Sequence, residues 1–223
     1  MDGKFDYANN PSWRIFRIMA EFIDGFDFLS NYERTVTFFG SARLAADHPA
    51  SQKARQLARL LAETGCTVIT GGGPGIMEAA NRGAHEAGGE SVGLNIELEL
   101  EQRINPYITK GMGFHYFFTR KVMLAFSAEA YVFFPGGLGT LDEFSELVTL
   151  LQTHKIEEQL PVILIGSDFW QPLLDWIDTT MYKEYKAIDA RDKKLWTLTD
   201  SVEEAFTIIR QALPRQRVKL QHR

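Results

Sequence analysis

The chain has 223 residues, and 24 Lys+Arg against 29 Asp+Glu leave a formal net charge of −5, with 45% hydrophobic and 24% charged residues. This ordinary globular composition supports a sizeable core. Against a prior of roughly 150 residues per domain, it suits one large α/β unit with extensions better than two complete domains. A sequence pI near 5.6 argues against gripping nucleic acid through global charge, and the lone Cys66 rules out an internal disulfide framework or a thiolate zinc module.

At the N-terminus, Met1–Asp6 lacks the basic and apolar regions of a secretion signal, and no 18 apolar residues run together. The expectation is a cytoplasmic protein without a membrane partner. Asn10-Pro11-Ser12 then supplies a cap and an N1 proline ahead of Trp13, Phe16, Met19, Ile23 and Phe26, which recur at helical steps. Residues 1–34 therefore read as a helical extension whose aromatic stripe packs on its own core or on a second subunit.

From Thr35, β-branched and aromatic runs alternate with helical patterns. Strands are predicted at Thr35–Phe39, Thr67–Thr70, Ser91–Ile96, Ala130–Phe134 and Pro161–Ile165, with a further candidate at Trp196–Thr199, and helices over 49–64, 75–88, 115–128, 140–154 and 168–184. Ser201-Val-Glu-Glu204 has the capping-box pattern of a last helix, and 213–223 reads as a basic tail. The alternation predicts an α/β fold with a doubly wound, Rossmann-like parallel sheet flanked by helices over 35–212.

Two glycine clusters, Gly71-Gly72-Gly73-Pro74-Gly75 and Pro135-Gly136-Gly137-Leu138-Gly139-Thr140, follow strands and precede helices. Such turns present unpaired N–H groups and a positive dipole end, and phosphate is their natural guest. Neither completes G-x-G-x-x-G or a Walker loop, so nicotinamide cofactors and ATP hydrolysis fall behind a mononucleotide or sugar phosphate. Gly40-Ser41 follows the first strand, either as a ligand-facing hydroxyl or as a simple turn.

Thr140-Leu-Asp-Glu143 matches T-x-x-E, which makes Glu143 a capping-box residue in one reading and an acid/base group beside a phosphate loop in the other. Arg120-Lys121 interrupts an apolar helical stretch, as a solvated face or as cations turned toward the crevice. The five histidines have no metal-ligand spacing, and no metal is assigned.

Taken in order, Gly40-Ser41-Ala42-Arg43, Gly71–Glu78, Arg120-Lys121 and Pro135-Gly136-Gly137-Leu138-Gly139-Thr140-Leu141-Asp142-Glu143 resemble the Lonely Guy (LOG) family over roughly 35–176. The resemblance implies a cytokinin riboside 5′-monophosphate phosphoribohydrolase that splits a nucleoside 5′-monophosphate, AMP among them, into free base and ribose 5-phosphate without a cofactor. It also implies a homodimer or larger homo-oligomer. Arg120 and Glu143 carry the family's catalytic positions. Lys121, the loop Gly136, Gly137, Leu138, Gly139, Thr140, Leu141 and Asp142, and Thr149 match positions that hold nucleotide. Glu101 corresponds to a substrate-holding loop glutamate, with Glu97 and Glu99 as alternatives, and Gly40, Ser41, Gly72 and Gly73 join the expected binding residues. Family members have also been labelled lysine decarboxylases, but that chemistry needs a pyridoxal-bearing lysine and a supporting site, for which no separate constellation is present. A non-catalytic mononucleotide or cofactor carrier is the rival reading of the same crevice.

Overall fold

A computed structural model describes residues 11–97, 104–156 and 160–213. Helix α1 (Pro11–Leu29) precedes β1 (Thr35–Phe39), α2 (Pro49–Glu63), β2 (Thr67–Thr70), α3 (Ile76–Glu86), β3 (Ser91–Ile96), β4 (Lys110–Phe114), α4 (Phe117–Phe126) and β5 (Ala130–Phe133). Then follow α5 (Leu138–Gln152), β6 (Val162–Ile165), α6 (Ser167–Trp176), β7 (Thr197–Thr199) and α7 (Val202–Ala212). All strand pairs are parallel, in the order β4-β3-β2-β1-β5-β6-β7. Strand order reverses beside β1, so the carboxyl ends of β1 and β5 form the topological switch point where this architecture binds ligands.

The wholly buried runs of β1, β2, β5 and β6 are covered on both faces. Leu57, Leu61, Ile76, Ala80 and Ile209 belong to one core with α2, α3 and α7, and Met123, Phe144, Leu147 and Trp170 to the other with α4, α5 and α6. No helix among the described residues is long and apolar enough to cross a membrane.

Several expectations need correction. Strand β4, Lys-Gly-Met-Gly-Phe, is not among the predicted strands, because two glycines and a lysine carry no strand propensity. Its register with β3, Val92 opposite Lys110 through Ile96 opposite Phe114, supplies what local sequence lacks. The helix expected over 168–184 is α-helical only to Trp176 and continues as a π-helical segment, Ile177–Glu184. The capping box of α7 is half made. Ser201 Oγ accepts from Glu204 N–H at 3.1 Å, while the Glu204 carboxylate takes the Thr199 hydroxyl rather than the Ser201 backbone.

The stripe of α1 does not enter the chain's own core, since Trp13, Phe16, Met19, Ile23 and Phe26 are 50–65% exposed. The side of α1 that packs inward carries Glu21, Phe22, Gly25 and Phe28. There a Cβ on Gly25 would come within 2.6 Å of Met123 Sδ, so α1 crosses α4 at close range.

Candidate active site

A crevice of about 580 Å³ opens at the switch point. The end of β1 contributes Phe38, Phe39, Gly40, Ser41, Ala42 and Arg43, and the turn after β2 contributes Gly71. Met77 comes from α3, Arg120 and Leu124 from α4, and Gly137, Leu138, Gly139, Thr140 and Glu143 from the start of α5. Eight of the expected residues thus meet in one place: Gly40, Ser41, Arg120, Gly137, Leu138, Gly139, Thr140 and Glu143.

Backbone contacts hold the rim. Ser41 N–H donates to Pro135 O and Ile76 N–H donates to Ser41 O, both at 3.0 Å, which ties the turns after β1, β2 and β5 together. Gly75 has φ +70°, and a Cβ there would lie 2.3 Å from Ser41 O, so only glycine lets the chain pass. The turn after β2 rests on a buried polar network. Thr70 Oγ1 donates to Asn81 Oδ1 at 2.6 Å and accepts from Gly72 N–H at 2.9 Å, while Asn105 Nδ2 donates to Asn81 Oδ1 at 2.9 Å and to Gly73 O at 3.0 Å. Gly72 and Gly73 serve this support and do not line the cavity.

The T-x-x-E stretch resolves in favour of the crevice. Helix α5 starts at Leu138 with Gly137 as N-cap and no side-chain cap, so Thr140 lies inside the first turn and Glu143 cannot reach back as a capping-box partner. The capping-box reading falls for that reason. The first-turn amides of α5 have no acidic side chain beside them, and they aim the positive helix end at the cavity. Gly136 is required underneath, because a Cβ would stand 2.0 Å from Thr140 Oγ1.

Glu143 is only 7% exposed. Burial pushes its carboxyl up to about 7, against the pull of Lys121 and Arg120, with Glu146 and Asp142 adding to the rise. Burial also draws the Arg120 guanidinium below its ordinary value, opposed by Glu143. Arg120 Nε is buried without a hydrogen-bond partner, and the guanidinium carbon lies 5.9 Å from the Phe117 ring centroid.

Other expected residues lie elsewhere. Lys121 is not part of the cavity lining; its Nζ is 2.8 Å from Asp142 Oδ2 and 3.3 Å from Glu146 Oε2, which braces α4 against α5. Leu141 packs against the core. Thr149 lies outside the crevice: it is exposed, donates to Ser145 O at 2.7 Å and lines a separate cavity with Phe144, Val148 and Trp196. Thr149 stands six residues beyond Glu143 on α5, about 120° away from it round the helix, so one helix cannot turn both side chains into the same crevice. Glu101 and Glu99 lie outside the described residues, and Glu97 directly follows β3.

Arg43, Gly71 and Met77 also line the cavity although they are not among the expected binding residues. All three stand in the family motifs Gly40–Arg43 and Gly71–Glu78, but the Met77 side chain by itself carries no chemical signal. Glu21 is missed entirely by the sequence reading. It holds the start of α4 from 95 residues upstream, accepting from His115 N–H at 3.0 Å, Tyr116 N–H at 3.3 Å and the Thr119 hydroxyl at 2.6 Å.

A family model described as "Possible lysine decarboxylase" matches residues 77–209, more than half of the chain. The cytokinin riboside 5′-monophosphate phosphoribohydrolase LOG of Oryza sativa subsp. japonica is 29% identical over 170 residues, covering 73% of this chain and 67% of the rice protein. The cytokinin riboside 5′-monophosphate phosphoribohydrolase of Rhodococcoides fascians is 25% identical over 181 residues, covering 79% and 89%. Among solved structures, TM1055 is similar with a TM-score of 0.59 at 27% identity, over 80% of this chain and 99% of its own. The molybdenum cofactor carrier protein of Chlamydomonas reinhardtii shares the fold, with a TM-score of 0.60 at 21% identity over 81% and 98%. The matched span contains both Arg120 and Glu143, and the chain belongs to the Lonely Guy (LOG) family.

Proposed function

We propose that this chain hydrolyses the N-glycosidic bond of a purine nucleoside 5′-monophosphate, AMP or its isopentenyl derivative, to free base and ribose 5-phosphate. The observation that carries the reading is Glu143, a buried carboxyl held near 7 in the same crevice as the half-buried Arg120, whose Nε is buried. Departure of the base leaves oxocarbenium character on the ribose, which a carboxylate stabilises. The ionised Glu143 accepts a proton from water as the water oxygen bonds to C1′. The C1′–N bond breaks with its electron pair going to the base, toward which Arg120 directs its charge; the proton taken up by Glu143 then returns through solvent to the base nitrogen, which completes the neutral free base and restores the carboxylate. The open amides of α5 hold the phosphate. A general base of this kind supplies roughly 10²–10⁴-fold.

The decarboxylase description does not fit the residues present. Among the described residues no lysine lines the crevice, and Lys121 Nζ is engaged by Asp142 and Glu146, so no amine is available there to hold pyridoxal phosphate. The carrier reading draws on a shared fold, but a passive binder has no use for a buried carboxyl near 7 beside Arg120. The exposed stripe of α1 supports further copies of the chain as its protein partner. The test is incubation with a panel of nucleoside monophosphates that includes AMP and isopentenyladenosine monophosphate, with free base and ribose 5-phosphate quantified. Release of both supports the hydrolase and ranks the bases, whereas binding without release across the panel overturns it.

A further inference from the structure

We infer that Glu21, on the N-terminal helix, is a positioning residue that sets where Arg120 stands in the crevice, an inference that rests on the hydrolase reading above. Helix α4 begins at Phe117 with Tyr116 as N-cap, and Tyr116 makes no side-chain cap of its own. An uncapped helix start frays and leaves N–H groups without partners. Here the residues that lead into the helix, His115 and the N-cap Tyr116, are held together with the Thr119 hydroxyl by a carboxylate from another element. The Glu21 carboxylate accepts from the N–H groups of His115 and Tyr116 and from the Thr119 hydroxyl, at 3.0, 3.3 and 2.6 Å. A carboxylate at this end also faces the positive pole of α4.

The contact bears on Arg120 through the geometry of the helix. Thr119 and Met123, four apart, share the face of α4 turned to α1, where Gly25 admits Met123 Sδ at close range. Arg120 stands one residue, about 100°, further round, which brings its side chain to the crevice. Its backbone N–H closes onto Tyr116 O at 3.3 Å, directly beneath this contact. Because Arg120 Nε has no hydrogen-bond partner and the guanidinium leans on Phe117 of the same helix, the roll and shift of α4 determine where the charge lies. Glu21 and Gly25 clamp α4 at two points on either side of Arg120. The N-terminal extension is therefore part of the site's framework.

A double-mutant cycle with Arg120 separates positioning from general stability. In the parent background, Glu21→Ala is expected to lower kcat for AMP at least about tenfold with KM changed less than about threefold, and Glu21→Gln, which keeps one acceptor oxygen, is expected to fall between the two. In an Arg120→Ala background the same Glu21→Ala change is expected to cost less than about twofold, since the group it positions is gone. Full additivity, or a kcat per folded molecule equal to the parent's, overturns the inference. A readout independent of turnover is the Arg120 Nε–H resonance, assigned by its loss in Arg120→Lys and expected to shift in Glu21→Ala as the His115 and Tyr116 amides gain exchange rate. If the parent releases no base, the hydrolase reading fails by itself; a resonance that stays in place in Glu21→Ala overturns the positioning role whatever the activity.

Discussion

Replacing Glu143 with glutamine is expected to stabilise the fold while removing turnover. In the native chain burial holds this carboxyl at about 7 instead of its ordinary 4.5. Below 4.5 both native and unfolded states are protonated and the difference is absent. Between 4.5 and about 7 the native state keeps a proton that the unfolded state has released, so stability falls as pH rises; above about 7 both are ionised and the full penalty stands. At about 1.36 kcal/mol per pH unit, the penalty at pH 8 is on the order of 3 kcal/mol. Glutamine is nearly isosteric and has no proton to lose, so the Gln variant exceeds the parent by that amount at about pH 8 and by almost nothing near pH 4.5. For a domain of this size the gap corresponds to roughly 6–12 °C in Tm. Urea unfolding of both proteins at several pH values between about 5 and 8, with base release assayed in parallel, reads both consequences. A gap that does not widen with pH refutes the burial argument, and an active Gln variant refutes the proposed role.

The free enzyme's kcat/KM is expected to rise about tenfold per pH unit below about 7 and to level off above it, as Glu143 ionises; a profile flat across that range contradicts its service as a base. Arg120→Ala is expected to lower kcat/KM by at least about 10²-fold, with far-ultraviolet circular dichroism unchanged. Gly136→Ala places a methyl group 2.0 Å from Thr140 Oγ1 and is expected to cost about 1–3 kcal/mol, read as a lower Tm together with weaker AMP binding. Asn81→Ala removes the acceptor of Thr70 and Asn105 and the donor to Ser91, and about 2–4 kcal/mol is expected in urea unfolding.

The βα alternation was legible because strand and helix periodicities are local properties, and the glycine turns showed where backbone must approach a ligand. The pairing of Arg120 with Glu143 came from family resemblance, since spacing alone is met by a solvated face and a capping box. Only the tertiary structure separates these, by starting α5 at Leu138 and turning both side chains into one cavity. Strand β4 exists because β3 offers an edge to pair with, and its own residues do not announce it. Glu21 shows the same limit from the other direction. Nothing around position 21 marks it, because its partners lie more than 90 residues away. What local sequence determined, then, was the order of elements and the chemistry of the turns. What the fold decided was which carboxylates lose water and which helix ends they meet, because burial and long-range hydrogen bonds are properties of packed elements.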